Sequence, residues 1–178
     1  MDLENVEKIT AGAVGEPGER TFFIQAREGE RTITITVEKE QVELLASSIL
    51  EILATIDLET GDGPADDQLE LEPPLEPLWR AGRLSIGYAE DRDRMVLELE
   101  ELLPDREDEG QGEAETPPLE GPEPDRVRLW ATREQMFALS RYGAEIASRG
   151  RPRCQFCGNP LDPEGHVCPA MNGHHPSA

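Results

Sequence analysis

The chain has 178 residues, of which 37% are hydrophobic but only 4% aromatic, so any core is modest and aliphatic. Net charge is −21, and residues 1–125 alone carry 34 acidic and 10 basic side chains, a surface that repels nucleic acid and anionic membranes. No run of about 18 apolar residues could span a bilayer. The acidic opening Met1-Asp2-Leu3-Glu4 lacks the basic-then-apolar pattern of a signal peptide. These features predict a cytoplasmic protein.

Taken in chain order, residues 9–14 and 21–26 read as a hairpin around Gly15-Glu16-Pro17-Gly18, where Pro followed by Gly suits a type II turn. Gly12, Gly15 and Gly18 could be taken for a phosphate loop. However, no Gly-Lys-Ser/Thr follows, and the segment leads into a strand rather than a helix. Residues 33–37 alternate as a strand, and a helix starts near Lys39 with Val42, Leu45, Ile49, Leu53 and Ile56 on one face. A second hairpin, 83–88 with 95–99, surrounds Glu90-Asp91-Arg92-Asp93. Residues 127–131 form another strand. Thr132 and Gln135 have capping-box spacing, and Met136, Leu139, Gly143 and Ile146 line a second helix ended by Gly150 and Pro152.

The two strand-helix units align without a gap at an offset of 94 residues: Ile33/Val127, Ile35/Leu129 and Val37/Ala131 share an inward face, and Lys39-Glu40-Gln41 matches Arg133-Glu134-Gln135. The predicted fold is α+β. Duplicated βββα halves (about 8–56 and 78–149) form one antiparallel sheet system covered by two helices, within a domain spanning 1–150. Residues 57–77 hold eight acidic residues and four prolines. Residues 104–125 hold nine acidic residues and five prolines. Both lack apolar periodicity and read as mobile acidic loops.

Residues 151–178 form a distinct tail, zinc-knuckle or ribbon-like, that contains all three cysteines and all three histidines. Cys154 and Cys157 are a C-x2-C pair in a turn. His166 and Cys168 sit two apart and face one side of an extended segment. Together they make a complete Cys3His set for a structural zinc ion, with no position left for a reacting water. His174 or His175 could replace His166. A redox C-x2-C pair is the competing reading, but Asn159-Pro160 directly after the turn does not fit the start of a helix. Three cysteines bunched at one end suit a reducing compartment.

With no histidine outside the tail, a Ser-His or Cys-His arrangement in the body is excluded. Trp79, Trp130 and Tyr88 could line a groove, although scattered aromatics more often belong to the core. Arg20, Arg27 and Arg31, with the turn glycines Gly15 and Gly18, could contact an anionic, phosphate-bearing ligand between the halves. Nucleic-acid binding through the arginine-rich stretch 126–153 would have to overcome the negative charge elsewhere.

The string Gly12-Ala13-Val14-Gly15-Glu16-Pro17-Gly18-Glu19-Arg20-Thr21-Phe22-Phe23-Ile24-Gln25-Ala26-Arg27 resembles the N-terminal signature of the bacterial domain-of-unknown-function family 3090. The tail, from Cys154-Gln155-Phe156-Cys157-Gly158-Asn159-Pro160 through His166-Val167-Cys168-Pro169, resembles that family's C-terminal end. Gln155 stands where the family pattern has Pro. The resemblance implies no activity. It does imply gene neighbours that are a histidine-phosphatase-like phosphomutase and a phosphoinositide-kinase-like protein, hence a phosphatase-like or kinase-like partner. The expected function is a non-enzymatic interaction or adaptor protein with a structural zinc tail and no membrane partner; the alternatives are an enzyme or small-ligand binder for an anionic ligand between the halves and, less favoured, nucleic-acid binding through 126–153.

Overall fold

The computed structural model describes residues 1–103, 122–149, 154–157 and 168. The strands are β1 (Asp2–Leu3), β2 (Lys8–Val14), β3 (Thr21–Glu28), β4 (Arg31–Val37), β5 (Ala81–Ala89), β6 (Arg94–Glu101) and β7 (Arg126–Ala131). The helices are α1 (Lys39–Thr55) and α2 (Arg133–Ser148). The fold is mixed α+β, with two sheets: β2-β3-β4, and β1-β7-β6-β5. Both hairpins form, and the first turn closes through a Glu19 N–H to Glu16 carbonyl bond of 2.9 Å.

A single antiparallel sheet system was expected, and the structure corrects this: there are two sheets, and the contacts that join them are parallel. Leu78 N–H donates to the Thr34 carbonyl (2.9 Å) and Thr36 N–H to the Trp79 carbonyl (3.0 Å), so the approach to β5 runs parallel along β4. On the other side β1 lies parallel to β7, with Asp2 opposite Arg128 and Leu3 opposite Leu129, and Val6 N–H donates to the Trp130 carbonyl (3.2 Å). Each βββα run therefore has its third strand flanked by the segment that leads into the first strand of the other run.

The helices cross over in the same sense. Gln41 accepts from Glu38 N–H (2.8 Å) and donates to the carbonyls of Ala81 and Gly82 at the start of β5 (3.3 and 3.4 Å). Gln135 accepts from Thr132 N–H (2.8 Å) and donates to the carbonyls of Val6 and Glu7, just before β2 (2.9 and 3.1 Å). Each side chain thus serves its own helix start and a backbone segment of the other run at once. Beneath them lies one hydrophobic core that includes Ile33, Ile35 and Val37 with Val127, Leu129 and Ala131, the inward positions expected from alternation. Val42, Leu45 and Ile49 of α1 and Met136, Leu139 and Ile146 of α2 join it. Gly143 lets the helices approach closely, since a Cβ there would lie 3.2 Å from Val42 Cγ1.

The expectation of a mobile loop fails for 57–77. Leu69 is fully buried, and Leu71 packs against Gly12. The loop is held by polar side chains on the sheet face turned away from the core. Thr10 Oγ1 donates to the Leu69 carbonyl. Gln25, 2% exposed, makes a reciprocal pair with Glu72 (Nε2 to the carbonyl at 2.9 Å, N–H to Oε1 at 2.8 Å). Lys8 pairs with Glu72 (3.0 Å), and Arg141 pairs with Asp66 (2.6 Å). Burial of one leucine stabilises by roughly 1.5–3 kcal/mol. A few such anchors hold a segment whose composition lacks any repeat. Residues 104–121, most of the second acidic stretch, and Gly150 and Pro152 lie outside the described residues.

Gly63 marks where this segment crosses α2. Its φ is +71°, and an added Cβ would sit 2.2 Å from the Glu134 carbonyl oxygen. Gly63→Ala is therefore expected to destabilise the fold by on the order of 2 kcal/mol, because both backbone strain and the clash must be relieved. It should also open 57–77 to proteolysis. Urea denaturation and limited digestion check this; a change below about 0.5 kcal/mol with no new cleavage would contradict it.

Candidate metal centre

Cys154 is buried (8% exposed), and Gln155 and Phe156 form the exposed part of a turn that brings Cys157 back beside it. The Sγ atoms of Cys154, Cys157 and Cys168 all lie within 4.8 Å of one another, and Cys154 and Cys168 are 3.7 Å apart. Metal–sulfur bonds of about 2.3 Å in a tetrahedron place sulfurs about 3.8 Å apart. A disulfide would need about 2.05 Å. None of the three cysteines is in a disulfide. The spacing fits three thiolates around one ion, and the residues could hold a metal.

The local electrostatics favour the ligand form of the sulfur. Backbone N–H groups of Cys157 and Phe156 point at Cys154 and pull its pKa from 9.0 to about 6, against the upward push of burial. The amides of the C-x2-C turn thus favour the thiolate form of Cys154 before any metal charge is added. His166, His174 and His175 lie outside the described residues, as does the rest of the segment between Cys157 and Cys168. Phe156, 68% exposed, projects from the turn.

The other candidate residues are split between the two ends of β3 and do not form one site. Arg20 stacks over Phe22 (5.1 Å) and donates to the carbonyls of Ile146 (3.1 Å) and Arg149, closing the C-terminal end of α2. Arg27 pairs with Glu7 (2.6 Å) and Glu72 (3.5 Å). The two arginines flank opposite ends of β3, roughly 23 Å apart at 3.3 Å per residue. Arg31 begins β4 opposite Glu28, at the same end of the hairpin as Arg27. Gly15 and Gly18 take positive φ (117° and 94°) in the exposed turn.

In the stretch 126–153, Arg126, Arg128, Arg133, Arg141 and Arg149 all pair with carboxylates of this chain. Arg151 and Arg153 lie outside the described residues. Arg133 is the best tethered: it bonds Asp93 (2.8 Å), the Glu59 carbonyl (2.7 Å) and Thr60 (3.1 Å). Arg133 and then Tyr88 hold the Asp93 carboxyl below its usual range. The sequence pattern did not single out this cluster, because its members are 5 and 40 residues apart. Trp79 is partly buried against the core, and Trp130 lies under Arg92 (4.5 Å).

The model of the family described as protein of unknown function (DUF3090) matches residues 1–168. The chain belongs to this family. No curated protein and no solved structure matches it. The DUF3090 match ends on Cys168, so it takes in all three clustered thiols and His166 but stops short of His174 and His175. No helix among the described residues is long and apolar enough to cross a membrane.

The thiolate form of Cys154 is favoured above pH 6 and lost as the pH falls through that value. A bound ion competes further with the proton. Metal-loaded protein titrated with acid in the presence of a chromogenic chelator should therefore keep its ion at pH 7 and release it with a midpoint below about 6. Release already under way between pH 7 and 8 would contradict the ligand role of Cys154.

Proposed function

We propose that the protein is a non-enzymatic adaptor whose tail is folded by zinc held by Cys154, Cys157, Cys168 and, as fourth ligand, His166. The observation that carries this reading is the convergence of three thiols at a metal–ligand spacing. Three sulfurs from two short segments need a fourth donor to close a tetrahedron. His166, two residues from Cys168, is the histidine inside the matched family span. A closed four-ligand site stiffens a tail of 28 residues (151–178) that is too short for a core of its own.

The turn then presents Phe156 to solvent as a rigid aromatic contact. The partner is a protein, and a phosphatase-like or kinase-like one is the candidate of choice. Unlinked thiols suit the reducing cytoplasm. The body is read as a domain spanning residues 1–150, built from two copies of one βββα unit. The reciprocal bonds of Gln41 and Gln135 support that reading.

Metal analysis and lysate pull-down with wild type, Cys157→Ser and Phe156→Ala test the proposal. One zinc per chain is expected in wild type and in Phe156→Ala, and loss of zinc in Cys157→Ser. The specific partner should be lost from both variants. Metal-free wild-type protein that keeps its partner would overturn the reading. A partner unaffected by either substitution would reduce the tail to a staple.

A further inference from the structure

The edges of the two sheets are treated differently. The acidic segment covers β2, with Leu69 buried, Leu71 against Gly12 and Thr10 bonded to the Leu69 carbonyl. β5 is also an edge strand, at the end of the order β1-β7-β6-β5. Beyond the parallel bridge at Arg80, no described strand pairs with its second edge. Natural proteins protect such edges with charge, proline, short length or cover. β5 is nine residues long, and its strand has a single charged residue, Arg83.

A groove of about 290 Å³ runs between this edge and α1, lined by Gln41, Leu44, Leu45 and Ser48 on the helix and residues 82–86 on the strand. Leu44 is 68% exposed, and Leu84 and Ile86 are half-buried. This is an apolar slot beside a strand edge that, past the Ala81 and Gly82 carbonyls taken by Gln41, has no backbone partner among the described residues, the combination that recruits an extended strand.

The edge that is already paired shows which chemistry β5 accepts. Leu84 lies opposite Leu99, Ser85 opposite Glu98, Ile86 opposite Leu97 and Arg83 opposite Glu100. The partner strand β6 therefore presents leucines inward and glutamates outward. Glu100, however, is held by Arg126 at 3.0 Å, which leaves Arg83 without an ion-pair partner among the described residues. Arg83 is the one charged side chain in the groove lining. In a chain of net charge −21, a cation with no described ion-pair partner beside an apolar slot selects for a carboxylate at that position.

We infer that the α1/β5 groove binds an extended segment of a partner protein in which aliphatic residues alternate with polar ones, with an acidic residue placed opposite Arg83. The segment adds to β5 as a further strand. Its aliphatic side chains fill the slot against Leu44 and Leu45, and its carboxylate meets the guanidinium. The inference is independent of the thiolate cluster.

The probe is a fluorescent, end-blocked peptide with the sequence of residues 95–100, Met-Val-Leu-Glu-Leu-Glu. Saturable anisotropy is expected, with amide shifts in protein NMR confined to residues 82–88 and to α1. Leu44→Asp and Arg83→Glu, both at exposed positions, should each weaken binding at least about tenfold. Lysine in place of both peptide glutamates should restore binding to Arg83→Glu alone. Binding should be unchanged in Cys157→Ser, so a failure of the tail reading and a failure of this one are separable. Three results would overturn the inference: no saturation up to about 1 mM peptide, binding as tight as wild type by both groove variants, or a concentration-dependent dimer that Leu44→Asp abolishes. The last would assign the edge to a second copy of the chain.

Discussion

Two glutamine side chains hold the architecture together. Gln41 and Gln135 each take the N–H that opens their own helix and pass their amide protons to carbonyls of the other βββα run. A buried backbone group without a partner costs about as much as a lost hydrogen bond. Each run caps its own helix start, but its third-strand edge and the carbonyls that receive the glutamine amide belong to contacts made only with the other run. The parallel pairing of Leu78 and Trp79 on β4, and of β1 on β7, applies the same constraint at the sheet edges. The result is one core shared by both runs rather than two small ones. A shared core suits a chain with so few aromatics, since a larger apolar unit buries a greater fraction of its surface.

That mutual closure also narrows where function can reside. No buried side-chain polar atom among the described residues lacks a partner. The arginines of the basic stretch that the structure describes are matched to carboxylates, and Arg20 and Arg27 are committed to the end of α2 and to Glu7 and Glu72. The features that the body does not absorb are the three converging thiols and the open β5 edge. They concern separate segments of the chain.

Much of the body was legible in the sequence because its elements follow simple periods. Ile33, Ile35 and Val37 alternate, Val42, Leu45 and Ile49 recur at helical spacing, and Thr132 with Gln135 announces a cap. The two-residue strand β1 carries no period and escaped notice. So did the tethering of 57–77, for a physical reason. Its anchors are single leucines, and the polar residues that receive it, Thr10 and Gln25 (itself bonded to Thr34), occupy the alternate strand positions that normally face water. An acidic, proline-rich composition then suggested mobility where the structure has a strap. In the tail, the spacing grouped Cys154, Cys157 and Cys168 with His166, and the structure brings the three sulfurs within 4.8 Å of one another. The downward pull on the Cys154 pKa depends on which amides face the sulfur, and that geometry is invisible in spacing alone.

Native-state hydrogen exchange at the centres of β3 and β6 tests the mutual closure most directly. These strands belong to different βββα runs and share no hydrogen bond. If the two runs complete one another, Ile24 and Ala26 in β3 and Leu97 and Leu99 in β6 will exchange through one global opening with the same free energy. Both sets should lose protection together when Gln41→Ala or Gln135→Ala removes a crossing bond. Two separate opening energies, with each substitution felt only in one run, would show two independent units and contradict the shared core.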